Sequence, residues 1–260
     1  MDTQLLFLED SYAQEAQAKI IEILPEGAVF DKTIFFYTSG GQPCDTGTII
    51  KKAGGEKGSI IKENAGDEKN NAGAGGKEYF VKEVRKKDGK IIHFIEGAHD
   101  LQEGDEIFEK IDWEKRYKLM RMHTAAHVLA SIMFKQGKIM ITGNQLGEEK
   151  TRFDFNMQNY DTQFMQKCIG DANEALSQGH KVKTYSLPRE EAMKIEGVVK
   201  LAGALPPSLT RLRIVEIGEI DVQADGGTHV KNTREVGKII FEKGENKGKE
   251  NRRIYFKLEK

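Results

Sequence analysis

Only two cysteines, Cys44 and Cys168, occur in the 260 residues, and their contexts are unrelated. No disulfide framework is implied, and a reducing compartment is the default. No apolar run approaches the length that spans a bilayer, and the opening stretch from Met1 to Asp10 carries acids where a secretory signal needs bases. Net charge is scarce too. The 40 Lys and Arg against 41 Asp and Glu leave -1, a balance that neither calls for nor excludes a nucleic-acid partner. These shortages predict a soluble, cytoplasmic protein with no membrane association and no evident obligatory protein partner. The length accommodates two modest domains or one large one.

Histidine is also sparse, which makes its placing informative. Three of the six histidines fall in two short stretches, Arg121 to Ala130 and Asp225 to His229. On a helix, His123 and His127 share one face at a separation that a single metal ion bridges. His229 and Asp225 are also four apart, around a Gly226-Gly227 pair that lets the backbone turn sharply. Three imidazoles and one carboxylate make a zinc shell, so His123, His127, His229 and Asp225 are the candidate ligands.

Along the chain, 28–30, 33–37, 78–81 and 90–95 are short β-branched or aromatic runs separated by turn formers, which predicts a β-rich first module. His93 reads as an ordinary strand residue. Gly40 and Gly41 give a loop conformations closed to other residues. Residues 51–78 turn Gly, Lys, Glu and Asn rich and read as an insertion that buries little. A helix is expected from Trp113, with a stripe of Leu119, Met122, Ala126, Leu129 and Met133 ending before Gln136-Gly137. A second runs from Asp161 to a stop at Gly179, with Cys168 as inert core. Strands are expected at 151–155, 181–186, 212–217, 237–242 and 252–258, a short helix at 186–197 and a loop at 202–207.

Six stretches then carry a resemblance. Phe36-Tyr37 with Gly40-Gly41-Gln42-Pro43 and Asp45-Thr46-Gly47, Arg121-Met-His-Thr-Ala-Ala-His127, Arg152-Phe-Asp-Phe155, Gly226-Gly-Thr-His-Val230, Thr233-Arg-Glu-Val-Gly237 and Arg252-Arg-Ile-Tyr-Phe256 occur in order. Together they resemble the editing domain of alanyl-tRNA synthetase and its freestanding AlaX trans-editing relatives of medium length. The resemblance covers nearly the whole chain outside 51–78 and leaves no room for an aminoacylation domain. It implies an α+β fold. An N-terminal β-barrel-like glycine-rich domain, 1–110, precedes an α/β two-layer editing domain of the alanyl/threonyl-tRNA synthetase second-additional-domain type, 111–260.

The implied activity is zinc-dependent deacylation, in trans, of tRNA(Ala) mischarged with serine or glycine. His123, His127 and Gln145 are then the catalytic candidates, and Thr33, Gly40, Gly41, Gln42 and Arg152 the substrate contacts. Thr33 is the expected reader of the serine hydroxyl. Lys115, Arg116, Lys118, Arg121, Lys231, Arg234, Arg252 and Arg253 are the expected phosphate contacts. One departure stands out: the family loop commonly reads Cys-Gly-Gly-Thr-His, and here its first residue is Asp225, which either ligates zinc directly or orients what does. Zinc in such a site either activates a water or positions the substrate's amino group, and the residues do not choose. Two other readings remain open, a zinc-stabilised tRNA-binding module without catalysis and a deacylase for another aminoacyl-tRNA.

Overall fold

The computed structural model describes residues 2–52, 76–157, 161–198, 209–248 and 251–259. The insertion expected at 51–78 and the loop expected at 202–207 fall almost wholly outside them. The chain mixes α and β and is strand-rich, in two compact units. Unit one comprises 1–37 and 44–112, and unit two 38–43 and 113–260. Residues 38–43, read from the sequence with the first module, thus cluster with the second.

Unit one contains β1 (Gln4–Leu5), β2 (Glu15–Leu24), β3 (Gly27–Phe30), β4 (Lys32–Thr33), β5 (Gly47–Lys51), β6 (Glu78–Lys87), β7 (Lys90–Ile95) and β8 (Glu106–Ile111). Six of them pair round in the closed order β2-β3-β7-β6-β5-β8. Alternation sets the interior: Ile107, Glu109 and Ile111 of β8 point inward, as do Tyr79 and Val81 of β6. The expected strand at 33–37 stops at Thr33. Beyond it, side chains take the backbone donors that a sheet ladder would have used. Ile34 N donates to Glu109 Oε2 at 3.0 Å, Phe35 N to Thr33 Oγ1 at 3.1 Å and Phe36 N to Asp45 Oδ2 at 2.6 Å.

Unit two is built on α1 (Trp113–Gly137), whose residues from Met122 to Ser131 are all buried. The apolar stripe read from the sequence is therefore only part of what the helix hides. Its other buried face is polar and reaches the stretch from Ile220 to His229 residue by residue. Ser131 Oγ donates to Ile220 O at 2.6 Å, His127 meets Asp221, and Thr124 meets His229. α2 (Thr162–Ser177) has Asp161 as its N-cap, accepting from Gln163 N and Phe164 N, and buries Met165, Cys168, Ile169, Ala172 and Leu176. Cys168 is fully buried, and burial pushes its thiol up to about 11.

Two antiparallel sheets complete the unit. β9 (Ile141–Gln145), β10 (Thr151–Phe155), β14 (Ile239–Asn246) and β15 (Arg252–Leu258) form one in the order β14-β15-β10-β9. β11 (Val182–Pro188), β12 (Arg211–Ile217) and β13 (Asp221–Ala224) form the other. The helix expected at 186–197 shrinks to α2's short successor, α3 (Arg189–Ala192). Ser186, Leu187 and Pro188 instead stay in register with Arg213, Leu212 and Arg211 of β12.

Candidate metal centre

His123 and His127, one helical turn apart on α1, have ring centroids 5.0 Å apart, and His229 joins them at 4.3 and 4.7 Å. The loop after β13 delivers His229 and Asp225. The chain bends at Gly227 as expected, but neither Gly226 nor Gly227 has a positive φ, so the bend does not need glycine's left-handed freedom. Gly227 serves close approach instead. A Cβ there would overlap the His123 ring and Gln42 Oε1, whereas one at Gly226 would meet open space.

All three Nε2 atoms face the Asp225 carboxylate, His123 at 3.6 Å, His127 at 3.9 Å and His229 at 3.1 Å. All three Nδ1 atoms are taken from behind. Gln42 Oε1 lies 2.9 Å from that of His123, Asp221 Oδ2 2.9 Å from that of His127, and Thr124 Oγ1 3.1 Å from that of His229. Asp221 accepts at His127 Nδ1, which leaves Nε2 turned toward the Asp225 carboxylate. Three imidazole nitrogens converging on one buried carboxylate make a pocket that suits a cation. One ligand atom from each of the four residues lies within 4.8 Å of the others. The edge of a tetrahedron around zinc is about 3.4 Å, so a small contraction closes the shell. The quartet fits one divalent ion of the nitrogen-and-oxygen type.

Burial pushes His123 well below the usual imidazole range, against the pull of Asp225. It pushes His229 down to about 4, against the hydrogen bond to Asp225. For Asp225 burial works upward, but His123, the His229 hydrogen bond and His127 outweigh it and hold the carboxyl well below its ordinary value. At neutral pH these shifts leave His123 and His229 neutral and Asp225 anionic, the states in which such groups can hold a metal ion. Arg213 supports the loop. Its Nη1 donates to Asp225 O at 3.1 Å and Gly227 O at 3.0 Å, and Gly227 N donates to Asp225 Oδ2 at 2.6 Å.

The other residues singled out from the sequence are dispersed. Gly40 and Gly41, at φ of 59° and 87°, form the tip of a tight turn closed by reciprocal Ser39 and Gln42 backbone bonds. The turn docks on β9, where Asn144 Nδ2 donates to Gly40 O at 2.9 Å and Leu146 N to Gly41 O at 2.8 Å. Gln145 is exposed at the end of β9, opposite Arg152 of β10. Thr33 is wholly buried in unit one. Its hydroxyl lies 2.9 Å from His93 Nε2 and 2.8 Å from Glu109 Oε1 while accepting from Phe35 N. A hydroxyl so committed has no capacity left to read a substrate, which corrects the expectation from the sequence.

Half of the expected phosphate contacts also need correction. Arg116 is fully buried, and buried Arg252 donates to Asn246 Oδ1, Gly248 O and Asn251 O. Arg121 donates to Val236 O, and Arg253 grips Asp154 through two bonds of 2.6 and 2.9 Å. The guanidiniums of Arg121, Arg252 and Arg253 hold carbonyls and a carboxylate of the fold. Lys231 and Arg234 are exposed, and Lys115 and Lys118 are partly so. Sequence reasoning missed Asp221 and Thr124, because a partner 94 or 105 residues away leaves no local pattern, and Arg213, whose partners are backbone carbonyls that no residue type marks.

A mixed α/β unit with a buried three-histidine, one-carboxylate centre defines the class, and the comparisons agree with it. The second additional domain of threonyl and alanyl tRNA synthetases matches residues 212–255. The alanyl-tRNA editing protein AlaX-M of Saccharolobus solfataricus is 39% identical over 255 residues, 98% of each chain. That of Methanosarcina barkeri is 36% identical over 261 residues, 98% of this chain and 99% of the relative. The alanine--tRNA ligase of Sulfurisphaera tokodaii is 33% identical over 245 residues, 91% of this chain and 24% of the ligase. The chain belongs to the AlaX-M family of alanyl-tRNA editing proteins.

Proposed function

We propose that the protein is a cytoplasmic trans-editing hydrolase that deacylates mischarged tRNA(Ala), chiefly seryl-tRNA(Ala), with glycyl-tRNA(Ala) as a second substrate. The observation that carries the reading is the convergence of His123, His127, His229 and Asp225 in a chain that matches alanyl-tRNA editing proteins over 98% of its length. In this reading residues 1–110 are the β-barrel-like glycine-rich domain and 111–260 the two-layer editing domain. Among the described residues no helix is long and apolar enough to cross a membrane.

His123, His127, His229 and Asp225 would hold zinc, which would supply Lewis-acid chemistry to the hydrolysis of the aminoacyl ester. The chain's own residues do the rest. The three histidines are between 3% and 5% exposed, a buried setting that strengthens their hold on a cation. Gln145 and Arg152, in register on neighbouring strands, are the proposed contacts for the aminoacyl group and the terminal adenosine. Arg152 Nε makes no hydrogen bond within the fold and lies 4.0 Å from Asp154 Oδ2. Lys115, Lys118, Lys231 and Arg234 are the proposed phosphate contacts. An aminoacyl ester is already activated, so positioning and oxyanion stabilisation suffice for its hydrolysis.

Selectivity is the harder demand, because serine and alanine differ by one hydroxyl. A site that hydrogen-bonds the hydroxyl leaves its own polar groups unpaired when alanine enters. The test is release of amino acid from seryl-, glycyl- and alanyl-tRNA(Ala) and from seryl-tRNA(Thr), with metal content measured on the same sample. Serine should leave tRNA(Ala) at least about tenfold faster than alanine does. Equal turnover of the two, or metal-loaded protein that binds the tRNA without turnover, contradicts the proposal.

A further inference from the structure

Gln42 has no exposed surface, and each polar atom of its side chain is engaged. Its Nε2 donates to Thr228 Oγ1 at 2.9 Å, and its Oε1 accepts from Thr228 N at 3.2 Å. The same oxygen lies 2.9 Å from His123 Nδ1. A backbone N–H can only donate, so the atom facing Thr228 N must be the amide oxygen; the flipped amide would set donor against donor. An oxygen at that place obliges His123 to carry its hydrogen on Nδ1. The lone pair is then on Nε2, which faces Asp225 Oδ1 at 3.6 Å.

We propose that Gln42 is a positioning residue of the metal centre: it locks His123 in the Nδ1–H tautomer, so that Nε2 is presented as a ligand before any cation arrives. This role rests on the metal-centre reading above and differs from the substrate contact expected of Gln42. Without Gln42, the other tautomer would donate Nε2–H to the Asp225 carboxylate. That hydrogen bond would have to be broken for metal to bind. Asp221 gives His127 the same hold with a carboxylate, whereas the carboxamide of Gln42 does it without a further negative charge beside Asp225.

The local sequence explains how so distant a residue arrives. Gly40 and Gly41 make the left-handed turn that reverses the chain just before Gln42, and a Cβ on Gly41 would overlap the Asn144 amide that docks the turn. Gly227, bare on the other side, leaves room for both the His123 ring and Gln42 Oε1. Gly-Gly-Gln and Gly-Gly-Thr-His are thus the two halves of one support.

The test uses full-length protein labelled with 15N-histidine and stripped of metal. Long-range proton–nitrogen spectra report the tautomer of His123, and competition with a chelator reports zinc affinity. Gln42→Leu should move His123 to the Nε2–H form or a mixture and weaken zinc binding by about 10–100-fold. Gln42→Glu keeps an acceptor at Nδ1 and should retain the Nδ1–H form with zinc affinity within about threefold of the wild type. An unchanged tautomer and affinity in Gln42→Leu overturns the proposal. So does a Gln42→Glu protein as weak as Gln42→Leu. Should Gln42→Leu fail to fold, Gln42→Glu decides alone, retention of tautomer and affinity supporting the role and loss of either refuting it. Neither readout needs turnover, so an inactive wild type would count against deacylation and leave this result standing.

Discussion

Gly226 and Gly227 are adjacent and compositionally equivalent, yet the structure gives them unequal work. Gly227 packs against the His123 ring and Gln42 Oε1, while Gly226 faces open space. Gly227→Ala should therefore lower zinc affinity at least about tenfold by displacing the ring, the scale of losing a ligand's outer support. Gly226→Ala should stay within about twofold of the wild type. Chelator competition on the two variants decides, and equal effects would mean that the loop is not packed as described. The clustering of His123 with His127 was legible beforehand, because an i, i+4 histidine pair is a local pattern with a direct geometric meaning. The residues behind them were not. Gln42 is 81 residues from His123 and Asp221 is 94 from His127, and their carboxamide and carboxylate look like any others until the chain is folded.

Strands and helices were legible where their side chains follow one period. β7 and β15 fall at the residues expected of them, and α1 and α2 are displaced by only a residue or two. β2 was not foreseen as a separate strand. Its sequence, Glu-Ala-Gln-Ala-Lys-Ile-Ile-Glu-Ile-Leu, is rich in helix formers, and pairing with β3 and β8 overrides that local preference. β8 was missed for another reason, since Glu109 occupies an inward position where the pattern calls for an apolar residue. The Glu109 carboxyl is pushed up to about 8, chiefly by burial.

The hydrogen bonds at Glu109 work against that shift: Ile34 N donates to its Oε2 at 3.0 Å and Thr33 Oγ1 to its Oε1 at 2.8 Å, and burial outweighs both. The ordinary value for a glutamate is 4.5, and between there and about 8 the unfolded chain releases a proton that the folded chain retains. Stability contributed at this site is complete below 4.5 and is lost as pH rises through that window, by at most about 1.4 kcal/mol per unit. Denaturant melts from pH 5 to 8 should show this slope in the wild type and a flatter one in Glu109→Gln; parallel profiles would mean that Glu109 is ionised. Thr33→Val should cost about 1–3 kcal/mol of stability and leave the serine-to-alanine ratio unchanged. A changed ratio would return Thr33 to the role of reader.

At the scale of the molecule, net charge gave no guide to its partner, and the distribution of bases gave a partly false one. Four of the eight expected phosphate contacts are spent on carbonyls, on Asp154 or on burial inside the fold. What the whole chain does show is descent: its similarity to AlaX-M proteins runs essentially from end to end. That descent, joined to the buried quartet, predicts a metal-dependent hydrolase, which removing the metal and returning it tests. Protein stripped by chelator and dialysed should release no serine from seryl-tRNA(Ala), and activity should return in proportion to added zinc and level off at one equivalent per chain. Full activity in the stripped protein, or recovery that ignores the loss of His123 or His229, would contradict it.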